Sequence, residues 1–146
     1  MKSLTTKLLV AGGLLAAGIL MYAQQGRKPV TVTRLYTGPD GETHTDQVEV
    51  KFPGGTPENQ ASEAMKTTGV EIHRAPPGAV QPFHTAPRRQ YVVTLSGRGE
   101  VEVSDGHKVQ LGPGQVLLVE DTTGKGHITR ALGTEDRVTM QIPLGQ

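Results

Sequence analysis

The chain contains no cysteine and no tryptophan, and its aromatic side chains are three Tyr and two Phe in 146 residues. Without cysteine there is no disulfide, no thiolate-ligated zinc, no iron–sulfur cluster, no thiol nucleophile and no lipoprotein anchor. So few aromatics make stacking platforms for bases or sugars scarce. Charge of one sign is also lacking, with 15 Lys and Arg against 14 Asp and Glu. A nucleic-acid partner, which would call for a basic face, is not expected. Gly124-Lys125-Gly126 is not a phosphate loop, because the preceding spacing and the following Ser/Thr are missing. There is no serine nucleophile elbow and no dinucleotide glycine pattern.

What is present begins with a segment that reads as an export signal, the alternative being an uncleaved membrane anchor. Lys2 and Lys7 precede a 14-residue apolar stretch, Leu8–Met21, and Ala23 is the expected last residue before cleavage. The stretch is shorter than the roughly 20 residues a membrane span needs. Residues 1–23 are therefore read as a signal peptide, 24–29 as a linker and 30–146 as one domain. The protein is expected to be exported, periplasmic or secreted, with no membrane attachment after cleavage. Removing residues 1–23 takes away Lys2 and Lys7 and leaves 13 basic against 14 acidic side chains, one net negative charge.

The remaining chain is rich in turn formers, with 19 Gly and 10 Pro. Strands are predicted at Val30–Leu35, Val48–Phe52, Gly69–Arg74, Gln90–Ser96, Gly99–Ser104, Lys108–Leu111, Val116–Glu120, Gly126–Arg130 and Arg137–Pro143. Pro76-Pro77-Gly78, Asp105-Gly106, Gly112-Pro113-Gly114 and Gly133 separate the later ones. Asp105-Gly106 is the strongest hairpin signal. Asn59–Lys66 is the one stretch of helix-friendly composition. Many short strands between Gly and Pro turns point to a sandwich or jelly-roll barrel. In Gln90–Ser96 one face carries Gln90, Val92, Thr94 and Ser96, and the other Tyr91, Val93 and Leu95. The first face either lines a barrel or meets solvent. The second is apolar and needs cover.

From Gly78 the residues follow a recognisable spacing. Gly78, His84, Ala86, Gln90 and Gly97 fall on a pattern of Gly, five residues, His, one residue, His, three residues, Glu, six residues, Gly. Thr122, Gly124 and His127 fall on a second pattern of Pro, one residue, Gly, two residues, His. In these spacings the chain resembles the cupin superfamily over residues 69–144. The stretches HTAPRRQYVVTLSG and VEDTTGKGH are similar to a bacterial subgroup of small cupins. The resemblance implies an all-β, cupin-type jelly-roll (double-stranded β-helix) barrel. It also implies one divalent metal ion (Fe, Mn, Ni, Zn or Cu) held by His84, Gln90 and His127. Two ligand positions depart from the family pattern: Ala86 stands for a His and Gln90 for a Glu. Imidazole and amide oxygen still suit such ions, but the donor set is depleted. His73 and Asp121 are candidates for a missing ligand, although neither falls on a motif position.

Arg88 and Arg89 are the candidate substrate-binding residues, since a guanidinium fork matches a carboxylate or phosphate. The alternative is that they lie on a solvated turn. Glu120-Asp121 either orients His127 or pairs with these arginines. His44 and His107 lie beside turns and are expected at the surface. The resemblance implies a metal-dependent enzyme acting on a small organic, acidic substrate. The alternative is a non-catalytic small-ligand-binding or sensing module. A homodimer is expected in either case.

Overall fold

Alternation between inward aliphatic and outward polar positions, broken by Gly and Pro, drives the chain into strands rather than helices. The computed structural model describes residues 27–145. The signal segment and the first three linker residues lie outside these. Among the described residues there are twelve strands and no helix. They are β1 (Thr31–Thr37), β2 (Thr43–Glu49), β3 (Gly54–Gly55), β4 (Gln60–Ala61), β5 (Glu71–Ala75), β6 (Val80–His84), β7 (Gln90–Ser96), β8 (Arg98–Val103), β9 (Lys108–Leu111), β10 (Val116–Glu120), β11 (His127–Leu132) and β12 (Arg137–Pro143).

A six-stranded sheet has the order β2-β1-β10-β7-β12-β5, and a four-stranded sheet the order β6-β11-β8-β9. β1 runs parallel to β10, and the other pairings are antiparallel. The buried cluster lies between the sheets. Leu35, Val92, Leu117 and Val119 come from the larger one, and Val101, Val103 and Leu111 from the smaller. This is the jelly-roll barrel expected.

Strands β7, β9, β10 and β12 have the predicted bounds, and the Asp105-Gly106 turn joins β8 to β9. Three differences have physical causes. Val80–His84 is a strand although Pro82 interrupts it. It forms an outer edge of the four-stranded sheet, where a missing N–H costs no ladder bond. The second strand runs Thr43–Glu49, earlier than Val48–Phe52, because it pairs along the whole of β1. Asn59–Lys66 forms no helix. Gln60–Ala61 instead closes a small hairpin on Gly54–Gly55, the helix-friendly stretch being too short to nucleate.

On β7, Gln90, Val92 and Thr94 point inward and are buried. The lining reading of that face therefore holds for these three, while Ser96 is exposed. Tyr91, Val93 and Leu95 face outward from the sheet, with Leu95 exposed.

Candidate functional site

β6 and β11 run side by side, with His84 directly opposite His127. This pairing depends on Gly126. Its φ is 79°, and a Cβ there would lie 2.1 Å from the His84 carbonyl oxygen. Glycine is required on both counts. The Gly124-Lys125-Gly126 segment is thus a steric device for bringing two strands together.

The two imidazole rings lie 4.5 Å apart between centroids. His84 Nδ1 is 2.8 Å from the Pro82 carbonyl. A carbonyl only accepts, so Nδ1 carries the proton. His127 Nδ1 is 2.6 Å from Asp121 Oδ2, and the carboxylate fixes the same tautomer there. Each ring is left with Nε2 as a free lone-pair donor. Asp121 is fully buried, and Thr43 Oγ1 donates to the same oxygen at 3.2 Å. Thr43 N donates to Ser104 Oγ, and Ser104 Oγ donates to the Gly126 carbonyl. His127 is therefore held by a chain of buried and half-buried groups that starts on β2.

Both histidines border one small cavity of about 70 Å³. Gln90, only 4% exposed, also lines it, and so does the buried Ala86. Its floor is aliphatic, formed by Val92, Val101, Leu117 and Val119. A second cavity of about 260 Å³ lies toward β5 and reaches His73 and Arg74. Gln81, Thr129, Arg137 and Gln141 line both. The interior is thus a narrow inner chamber and a wider outer one sharing a polar wall.

His84, Gln90 and His127 line the same inner chamber. Asp121 stands behind His127 as its hydrogen-bond partner. His73 opens on the outer chamber alone, with Nε2 3.0 Å from Glu71 Oε2. Arg88 and Arg89 do not line either chamber. Arg88 Nη2 donates to Glu71 at 2.5 Å, and Arg89 donates to Glu120 from both Nε (2.8 Å) and Nη2 (2.5 Å). Hydrogen bonds from His73, then from Arg88, hold the Glu71 carboxyl below its ordinary pKa. Arg88 Nε also donates to the Gln90 amide oxygen at 3.4 Å, so the anion clamp expected from the Arg88-Arg89 pair is engaged within the protein, by two carboxylates and by Gln90. Glu120 and Asp121 divide the two roles considered for them: one pairs with Arg89 and the other orients His127. His107 is exposed. His44 is only half exposed, paired with Asp40 and packed near Tyr36.

Arg137, Gln81 and Gln141 were not singled out from sequence. Their signal was the inward register of β12 and β6, which only strand pairing reveals. Among the described residues no group of three His, Cys, Asp or Glu side chains converges on a point.

Residues 71–142 match the family model described as "Cupin domain". The chain belongs to the cupin superfamily. Solved structures similar to this cupin include a cupin domain from Bordetella pertussis Tohama I, 20% identical, with 57% of this chain and 93% of that chain covered and a TM-score of 0.44. An RmlC-like cupin protein from Desulfovibrio desulfuricans is 23% identical, with 55% and 80% covered and a TM-score of 0.39. The Schizosaccharomyces pombe Cnp3 cupin domain is 14% identical, with 85% and 89% covered and a TM-score of 0.44. No curated protein matches the chain.

Proposed function

We propose that this cupin holds one divalent metal ion (Fe, Mn, Ni, Zn or Cu) in its inner chamber and acts there as a metal-dependent enzyme on a small organic acid. The ligands would be Nε2 of His84, Nε2 of His127 and the amide oxygen of Gln90. One observation carries the reading: both Nδ1 atoms are engaged, so both imidazoles offer Nε2 in a single cavity. The carboxylate–histidine arrangement at Asp121 and His127 is the usual support of a ligating imidazole. The donor set fits a divalent ion of borderline softness and is electrically neutral, so the ion would keep its full charge and favour an anionic ligand. When bound, such an ion supplies Lewis-acid polarisation of a substrate oxygen. The chain's own residues orient His127, exclude bulk water with the aliphatic floor, and leave the outer chamber for the rest of the substrate.

The alternative reading is a non-catalytic small-ligand-binding or sensing module. It is favoured by Ala86, which puts a methyl group where a third imidazole would complete the site. Elemental analysis of untagged protein separates the two. Stoichiometric metal, lost in both His84→Ala and His127→Ala, is the expected result. Substoichiometric metal indifferent to both substitutions would leave the binding module.

Export and self-association belong to the same proposal. The first 23 residues carry the signal pattern, and mass spectrometry of the mature N-terminus is expected to begin after Ala23. For a homodimer, support comes from the outer face of the six-stranded sheet. Ile72 lies beside Met140 and Met140 beside Val93 in register, with Ile72 59% and Leu95 44% exposed. Sedimentation should return twice the chain mass at micromolar concentration; a monomer would count against it.

A further inference from the structure

We propose that Arg137 is the anion-binding residue of the barrel and takes the carboxylate of a small organic monoacid within the pocket. This rests on the reading of the same interior as a substrate site and names the group that recognises the acid.

The starting point is a contrast between Arg137 and the other arginines, of which only the exposed Arg27 and Arg98 also meet no carboxylate among the described residues, and water solvates those two. Arg34, Arg74, Arg88, Arg89 and Arg130 are exposed or half exposed, and each meets an Asp or Glu. Arg137 is only 8% exposed and meets no carboxylate among the described residues. Its Nε is buried with no acceptor. A buried cation is normally paired, because taking its charge out of water without a partner is unfavourable. Burial lowers the pKa of this guanidinium with no acidic partner to oppose it. The neighbouring Asp136 turns its carboxylate to Arg74 instead.

The fold makes room for this cost. Gly99 on β8 faces the Arg137 side chain, and a Cβ there would lie 2.6 Å from Nε and 2.7 Å from Cδ. A side chain at position 99 would displace the arginine from its place against β8. The guanidinium belongs to the wall shared by the two chambers, and neither chamber is lined by Asp or Glu. Its companions there are neutral: Gln81, Gln141 and Thr129. One buried positive charge among amides and a hydroxyl matches one negative charge, and the planar fork matches a carboxylate. Arg74 also reaches the outer chamber, but its charge is met by Asp136, so a phosphate dianion would leave one charge uncompensated. The outer chamber, at about 260 Å³, has the volume for a short organic acid. Bound at Arg137, the acid would point its other end past Gln81 and Gln141 toward the two histidines.

The test uses the full mature chain, freed of metal with a chelator, and follows the Arg137 Nε–H resonance by NMR. Acetate is the probe, against chloride at equal ionic strength and against inorganic phosphate. A saturable shift of Arg137 Nε–H with acetate, and little with chloride or phosphate, is expected. Arg137→Gln should weaken acetate binding, read on neighbouring amides, by about tenfold or more, the loss of one charge-assisted pair. Because the wild-type resonance is itself a readout, a poorly folding variant does not blunt the test. Equal shifts with chloride, no shift with acetate, or shifts centred on Arg88 and Arg89 would each overturn the proposal. A response that appears only with metal present would also overturn it, by placing the anion on the metal. Retention of the acetate response in a metal-free His84→Ala variant separates this inference from the metal reading.

Discussion

The barrel interior has two halves made by the same strand pairing but with different chemistry. On one side β1 and β10 face β8 and β9, and the inward residues are Leu35, Leu117, Val119, Val101, Val103 and Leu111. On the other side β12 and β5 lie across from β11 and β6, and the inward residues are Arg137, Thr139, Gln141, Gln81, Thr129 and His127. The first half packs into the core and supplies the aliphatic floor of the inner chamber, while the second walls both chambers with polar groups, and both of its edge strands, β5 and β6, are largely exposed. Close-packed aliphatic contacts supply stability, whereas unfilled polar volume costs some of it. One half carries the fold, so the other is free to carry an incompletely satisfied set of polar groups.

Four tests break or sharpen this contrast. The largest effect belongs to the filled half. Leu35→Ala, at a site with no exposure, should cost about 2–5 kcal/mol in denaturant unfolding. Gln141→Ala in the open half should cost less than about 1 kcal/mol, and equal losses would erase the distinction. Next is Gly126→Ala, which forces a Cβ against the His84 carbonyl. It should destabilise by about 1–3 kcal/mol and shift the His84 and His127 ring resonances together. A variant with wild-type stability would show that the β6–β11 approach is looser than drawn. Third, Asp121→Ala removes the carboxylate behind His127. Affinity for a divalent metal, measured by chelator competition, should fall by about ten- to hundredfold. Unchanged affinity would remove His127 from the ligand set.

The smallest effect is at Glu100, only 9% exposed on β8. Gln110 donates to Glu100, whose carboxyl is held below its ordinary pKa by that bond first and then by Lys108. A carboxyl whose folded pKa is depressed contributes stability above its unfolded pKa, and the contribution is lost as pH falls through the folded value. Wild-type melting temperature should therefore drop on acidification somewhat more than that of Glu100→Gln. Parallel curves would assign the acid sensitivity elsewhere.

The two halves also differed in how far they could be read from sequence. β10 was legible because Val116, Leu117, Leu118 and Val119 are bounded by a Gly-Pro-Gly turn and an acidic pair, so residue type and environment agree. β6 was not, because Pro82 argues against a strand unless the strand is known to be an edge, and edges are set by pairing far along the chain. His84, Gln90 and His127 were legible through their spacing to glycines that the backbone needs. Arg137 was not, because an arginine at a strand start ordinarily reaches solvent. Only its register opposite Ala75 and the absence of a side chain at Gly99 turn it inward. Asp121 was half legible: its place next to Glu120 suggested two roles, and the side-chain directions assign one role to each residue.

His84 sits on an edge strand bonded on one side only, while His127 sits on a strand bonded on both. The two rings therefore belong to segments of unequal local stability, and the edge opens to solvent at lower free energy than the strand beside it. Anything that grips both rings fastens the looser segment to the firmer one. Its binding free energy reappears, by linkage, as slower amide hydrogen exchange along Val80–His84, so the edge strand is a built-in reporter of occupancy that needs no knowledge of the reaction.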